Sequence, residues 1–279
     1  MGDVNFVDWT GLCRRIVSRQ RELFAAERGI SARTRYEGRG DGGDCSLVLD
    51  RRCEDIIFEE LERELAGGPS VVAISEERGQ VAIGGGEAAL QLVIDPIDGS
   101  MNMRRTIPSH SLSFAVADGD SMAAVSYGFI HDFGADEEFV AHAGEGAMVD
   151  GRPLESDPRD GLEVVGIESA EPGAVEATIA ALAGQVYRLR VVGSLAITLS
   201  YVAAARFDGM LSGRACRSVD VAAGQLIVRE AGGAVEFAGL GLRDAELGLD
   251  ARYLVAASRD PEQLGLLLAA QAAGAATAS

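Results

Sequence analysis

Six residues, Asp95-Pro96-Ile97-Asp98-Gly99-Ser100, constrain this chain more than any other stretch. They follow an apolar run from Leu90 to Ile94, interrupted only by Gln91, which reads as a buried strand. That strand delivers two carboxylates to its C-terminal end. Pro96 fixes its own φ and removes a backbone donor. Gly99 permits a tight turn and lets a ligand approach the backbone, and Ser100 adds a hydroxyl. Taken alone, the six residues also describe an ordinary Asp/Pro/Gly surface turn. Two carboxylates on a rigid turn suit a hard divalent cation such as Mg²⁺, which takes carboxylate, carbonyl and water oxygens.

Two further features favour the cation. Glu76-Glu77 follows a second apolar run, Val71-Val72-Ala73-Ile74, so another strand end carries acid. Asp220 opens Asp220-Val221-Ala222-Ala223-Gly224, the start of an apolar helical stretch. There the helix dipole favours an ionised carboxylate.

These motifs, in this order, resemble the inositol monophosphatase family of Mg²⁺-dependent phosphatases. Its signatures are an acidic pair after a strand, D-P-I/L-D-G-S/T, and a late W-D-x-A-A-G. The resemblance runs over nearly the whole chain, with Val219 where the family usually has an aromatic. It implies hydrolysis of a small phosphate ester with two or three Mg²⁺ ions, Mn²⁺ being a possible substitute, in a protein that is commonly a homodimer. It implies roles as well. Glu76 binds the first metal and orients the attacking water. Asp95 bridges two metals, the Ile97 carbonyl joins the first, and Asp98 and Asp220 complete the second. Ser100, its hydroxyl tuned by Asp50, helps to activate the water. The backbone N–H groups of Gly99 and Ser100 hold the phosphate. Asp50 has an alternative role as a helix cap, and Glu77 reads as a surface charge.

The resemblance also bears on the substrate. Gly193, Ser194 and Ala196 lie where the family has a G-T/S-A segment that touches it. Gly213 falls near a Glu that binds inositol hydroxyls in animal members, and Leu47 stands where those members have Thr. Arg217, three positions before Asp220, is similar to the archaeal-type branch, which hydrolyses both inositol monophosphate and fructose 1,6-bisphosphate. A guanidinium there either holds a second phosphate bidentately or forms a surface ion pair. The glycine-rich stretch from residue 36 to 46 reads as a mobile loop, with Asp41, Asp44 and Ser46 as candidates to meet a metal. Three readings follow: a phosphomonoesterase of inositol monophosphate or a related sugar phosphate; a fructose 1,6-bisphosphatase, or a phosphatase of 3′-phosphoadenosine 5′-phosphate or histidinol phosphate; and a non-catalytic metal- or phosphate-binding relative.

The rest of the chain organises around these motifs. Trp9, Leu12, Ile16, Leu23 and Phe24 recur at helical spacing. A second helix starts at Asp50 and ends at Gly67-Gly68, and residues 79–88 read as a flexible connection. From His110 to His142 the pattern has period two, an antiparallel meander with a hairpin turn at Asp118-Gly119-Asp120. The three histidines lack the spacing of a zinc helix and read as packing or surface residues. Beyond residue 158 strands and helices alternate. The fold class is therefore α/β (α+β), in agreement with the family's layered α-β-α-β-α sandwich. An N-terminal half, 1–157, carries the meander and the metal-binding strand ends. A smaller C-terminal α/β half, 158–270, contributes Asp220 and substrate contacts, and 271–279 is a frayed tail.

Charge limits the partners. The chain of 279 residues has a net charge of −18, which disfavours nucleic-acid backbones and anionic membranes. It also disfavours a phosphate ester, unless metal ions supply local positive charge. Cys13, Cys45, Cys53 and Cys216 form no C-x-x-C pair and read as reduced thiols. With no signal-like segment and no run near the ~20 apolar residues of a membrane span, the expected compartment is the cytoplasm.

Overall fold

The computed structural model describes residues 7–39, 45–68, 70–85, 88–154 and 161–277. In chain order the first elements are α1 (Trp9–Ala26), α2 (Ile30–Arg33), the hairpin β1 (Tyr36–Arg39) and β2 (Cys45–Leu47), and α3 (Val48–Glu64). A sheet follows, made of β3 (Val71–Ser75), β4 (Gly79–Ile83), β5 (Leu90–Asp98), β6 (Ser111–Ala117), β7 (Val125–Asp132), β8 (Glu137–His142), β9 (Gly146–Val149) and β10 (Arg152–Pro153). The short helix α4 (Ser100–Arg104) lies between β5 and β6. The strand order is β10-β9-β8-β7-β6-β5-β3-β4. All neighbours are antiparallel except β3 and β5, which run parallel and so bring their C-terminal ends to the same edge.

The second part comprises β11 (Leu162–Glu168), α5 (Pro172–Leu182), β12 (Val186–Arg190), α6 (Leu195–Ala203), β13 (Gly209–Ser212), β14 (Cys216–Arg217), α7 (Ser218–Glu230), β15 (Ala234–Glu236), β16 (Arg252–Tyr253), β17 (Ala256–Ser258) and α8 (Leu264–Thr277). Five of its strands form a sheet in the order β12-β11-β13-β17-β15.

Burial stacks these parts into five layers. Trp9, Leu12 and Ile16 of α1 and Ile57 and Leu61 of α3 pack on Leu92, Phe114 and Phe129 of the large sheet. Its opposite face, through Val93, Ala115 and Ile130, meets Leu199 of α6 and Val219, Ala223 and Leu226 of α7. The same two helices cover Met210 and Ala257 of the small sheet. Beyond it, Val175 and Leu182 of α5 and Leu267 of α8 pack on Val165 and Leu211. This is the α-β-α-β-α sandwich expected from the sequence. Val219 is fully buried in the central helical layer, where an aliphatic side chain fills the space.

Four local expectations are corrected. Residues 79–83 are not part of a flexible connection: β4 pairs with β3 along its whole length as the edge strand, after a three-residue turn at Glu76–Arg78. Helix α3 begins at Val48 with Leu47 as its N-cap, so Asp50 sits in the first turn and is not the cap residue. Residues 271–277 are not a frayed tail, because α8 continues to Thr277 and buried Gln271 donates to the carbonyls of Ser212 and Val255 at 3.0 and 2.9 Å, while 278–279 lie outside the described residues. Finally, β5 runs on to Asp98, with its register against β6 slipping between Asp95 and Asp98. Proline cannot donate to a ladder, and Pro96 falls in this irregular stretch, as expected of strand prolines.

The histidines pack as expected. His110 stacks on Phe133 with ring centroids 5.5 Å apart, and His131 meets the Arg21 guanidinium at 3.0 Å. Cys13, Cys53 and Cys216 are buried and free. Asp41 and Asp44 lie outside the described residues, and Ser46 is placed only as part of β2.

Candidate active site

The parallel pairing of β3 and β5 sets Ser75 opposite Ile94, so Glu76 and Asp95 leave adjacent strand ends together. The slip in β5 then turns Asp98 toward the C-terminal half. Gly99 follows at φ +87°, a left-handed conformation that glycine adopts without steric cost. A Cβ there would fall 2.8 Å from the Ser109 carbonyl oxygen. Ser100 begins α4, and Asp220 approaches from the first turn of α7.

Each aspartate is oriented through one oxygen. Asp95 Oδ1 accepts the Ile97 N–H at 2.9 Å. Asp98 Oδ2 accepts from the Ser194 hydroxyl and from the Ala196 N–H at 2.7 Å. Asp220 Oδ2 accepts the Arg217 N–H at 2.9 Å. Asp95 and Asp98 are almost fully buried. Burial first, and then repulsion among Glu76, Asp98 and Asp220, pushes the Asp95 carboxyl well above the usual carboxylate range. Glu76, Asp98 and Asp220 shift upward too, again chiefly through burial.

Two cavities meet at this cluster. One, of about 290 Å³, is lined by Leu47, Asp50, Glu77, Arg104 and Pro96, together with Glu76, Asp95, Ile97, Ser100 and Arg217. The other, of about 430 Å³, shares Glu76, Asp95, Ile97, Ser100 and Arg217 with it and adds Asp98, Gly99, Glu168, Gly193 and Asp220. Glu76, Asp95, Ile97, Asp98 and Asp220 therefore all border one common space. Within the first cavity Asp50 Oδ1 and Glu77 Oε2 are buried and meet no hydrogen-bond partner among the described residues. The donor set is all oxygen, the chemistry a hard divalent cation takes, although among the described residues no three of these side chains are already drawn together as a closed metal-holding group.

The structure refines the individual assignments. Ser100 and Asp50 line the same cavity, but among the described residues no hydrogen bond joins them. Ser194 and the Ala196 N–H are engaged with Asp98, and Gly193 edges the second cavity. Arg217 is no surface ion pair. Its guanidinium is paired with Glu76, and its side chain is only 17% exposed. Burial alone would weaken its charge, but Glu76, Asp220 and Asp95 more than reverse this and hold the proton more firmly. Glu77, read as a surface charge, is partly buried and faces Asp50. Glu168 and Asn102, which also border the second cavity, escaped the sequence reading because neither belongs to a local pattern.

Carboxylates gathered at the ends of parallel strands and a helix start, around a cleft in a layered sandwich, offer hard oxygen donors of the kind divalent cations take. The comparisons give the family. The inositol monophosphatase family model matches residues 15–275, and the chain belongs to that family of metal-dependent phosphatases, which act on small phosphate esters. A fructose-1,6-bisphosphatase/inositol-1-monophosphatase of Methanothermobacter thermautotrophicus is 29% identical over 269 residues, covering 91% of this chain and 93% of the relative. One from Thermococcus kodakarensis is 35% identical over 200 residues, covering 71% and 72%. The Nus factor SuhB of Escherichia coli is 32% identical over 195 residues, covering 67% and 69%. Among solved structures, an inositol monophosphatase–fructose 1,6-bisphosphatase superposes with a TM-score of 0.81 at 24% identity, covering 94% of this chain and 99% of the other, which speaks to the fold.

Proposed function

We propose that the chain is a Mg²⁺-dependent phosphomonoesterase of inositol monophosphate or a related sugar phosphate. The observation that carries this reading is the convergence of Glu76, Asp95, Asp98 and Asp220 on one space beside Ser100. Glu76, Asp95 and the Ile97 carbonyl would hold one ion, and Asp95, Asp98 and Asp220 a second. When bound, such ions supply an activated water and charge neutralisation at the transferring phosphoryl group. The chain's own residues do the positioning. The N–H groups of Gly99 and Ser100, at the turn into α4, hold the phosphate oxygens as turn amides do. Ser100 and Asp50 line the cavity that receives the water, and Asp50, pushed up to about 7 chiefly by burial, stands ready to exchange a proton near neutral pH.

A second reading, fructose 1,6-bisphosphate as substrate, is favoured by Arg217 and Gly213. Arg217 puts a guanidinium at the edge of both cavities, available to a second phosphate once a cation engages Glu76. At Gly213 a Cβ would lie 2.5 Å from Val175 Cγ1, so the position has no room for an inositol-binding glutamate. We infer a cytoplasmic location, supported by the three buried free cysteines among the described residues. Among the described residues no helix is long and apolar enough to cross a membrane.

The test is phosphate release from inositol 1-phosphate, fructose 1,6-bisphosphate, 3′-phosphoadenosine 5′-phosphate and histidinol phosphate, with and without Mg²⁺. Mg²⁺-dependent release from the first two is expected, and their ratio chooses between the readings. No release from any of the four, with Mg²⁺ still bound, would favour a non-catalytic binding role.

A further inference from the structure

Glu168 stands at the C-terminal end of β11 with its carboxylate buried. Its Oε1 accepts the Val192 N–H at 2.9 Å and the Thr198 hydroxyl at 2.7 Å, and its Oε2 accepts the Gly193 N–H at 2.9 Å. The same two residues are gripped from the other side. Asn102 of α4 donates through Nδ2 to the Val192 carbonyl at 2.8 Å and the Gly193 carbonyl at 3.3 Å. It also donates to the Ser109 carbonyl at 2.8 Å. The backbone of Val192 and Gly193 is thus bonded through its donors to the C-terminal half and through its acceptors to the N-terminal half. A Cβ on Gly193 would fall 2.7 Å from Asn102 Nδ2, so this clamp closes only on glycine. Just beyond Gly193 in the chain, Ser194 and Ala196 both donate to Asp98 Oδ2, to which the Ser111 hydroxyl of β6 adds a longer bond at 3.5 Å.

We infer that Glu168 and Asn102 are positioning residues that clamp Val192–Gly193 between the two halves and thereby, through Ser194 and Ala196, aim the Asp98 carboxylate at the cation. This inference rests on the Mg²⁺-phosphatase reading. The physical reason is the donor count. A carboxylate accepting three hydrogen bonds is a strong, directional anchor. Isosteric Gln at position 168 must turn an NH₂ toward one of those donors, which leaves a buried N–H or O–H facing another donor. The segment then loosens, and Asp98 loses its fixed direction. Asn102→Ala loosens it from the opposite side.

The experiment uses the full-length wild type, E168Q, N102A and the double variant. Hydrogen exchange of residues 191–197 is measured without metal, and Mg²⁺ binding by calorimetry. Both single variants are expected to exchange faster over that segment. They are also expected to weaken Mg²⁺ binding by roughly 10–100-fold, as loss of partners that orient metal ligands does. Turnover should fall through kcat. The double variant should lose no more affinity than the worse single one, because both act through one segment. If E168Q does not fold, N102A, on the partly exposed side of the segment, decides alone. Variants that bind Mg²⁺ with wild-type affinity and exchange at the wild-type rate overturn the inference while leaving the phosphatase reading intact. A wild type that neither binds Mg²⁺ nor releases phosphate overturns both.

Discussion

Arg217 offers the sharpest test of the site's electrostatics. Its guanidinium neutralises Glu76 and faces Asp95 and Asp220, so Arg217→Met removes the positive charge paired within an acidic cluster while keeping side-chain volume. Breaking a buried ion pair costs about 3–5 kcal/mol because a charge is left without compensation. The two side chains are 17% and 19% exposed, which places the metal-free cost near the lower end, about 3 kcal/mol. For a chain of this size that corresponds to a fall in melting temperature of roughly 6–12 °C. Mg²⁺ reverses the situation, since a divalent cation neutralises the same carboxylates with no guanidinium to displace. The variant should therefore gain more stability from Mg²⁺ than the wild type, and each ~1.4 kcal/mol of extra gain appears as tenfold tighter binding. Thermal denaturation of both proteins with and without Mg²⁺ reads this out, with calorimetry for the affinity. A metal-free variant that melts with the wild type, or one that Mg²⁺ stabilises less than the wild type, would refute the reasoning.

Two further perturbations follow from the geometry. Gly99→Ala forces a Cβ to within 2.8 Å of the Ser109 carbonyl oxygen and 3.0 Å of that of Gly193 at a positive φ, so chemical denaturation should show a loss of about 1–3 kcal/mol, with turnover reduced. His110 and His131 are pushed down to about 4, first by burial and then by Arg33 and Arg21 respectively. Their folded values lie below the unfolded one, so the unfolded chain binds more protons as pH falls from about 6.5 to about 4, and stability is lost over that window. Between pH 7 and pH 5 each contributes up to about 2 kcal/mol of that loss, and urea denaturation of an H110N/H131N variant should show a correspondingly shallower pH dependence than the wild type.

What the sequence disclosed, and what it hid, divides along the range of the interactions. Glu76, Asp95, Asp98 and Asp220 are legible because each follows an apolar run or opens one, so local pattern alone puts them at element ends. The meander from β6 to β9 is legible through its period-two alternation. Edge strand β4 was hidden because it opens on Gly79 and runs into Gly84-Gly85-Gly86, which looks like a linker, and only pairing with β3 makes it a strand. The helical end of α8 was hidden because small residues carry no periodicity, and its order comes from Gln271 bonding to distant carbonyls. Glu168 and Asn102 meet at Val192 and Gly193, 24 or more positions from either, and belong to no motif. Arg217 was visible as a candidate, but its pairing with Glu76 requires β3 and β14 to meet at the site.

The central claim is that the carboxylates between the two halves form a Mg²⁺ site that drives phosphate ester hydrolysis. Asp95 tests it most directly, because it lies deepest in the cluster and lines both cavities. The measurement is phosphate release as a function of Mg²⁺ concentration for the wild type and for Asp95→Asn, which keeps shape and removes charge. The expected result is saturable, Mg²⁺-dependent release by the wild type and a loss of at least about a thousandfold in the variant, a barrier increase of roughly 4 kcal/mol. Release that persists without Mg²⁺, or that survives the substitution, would contradict it.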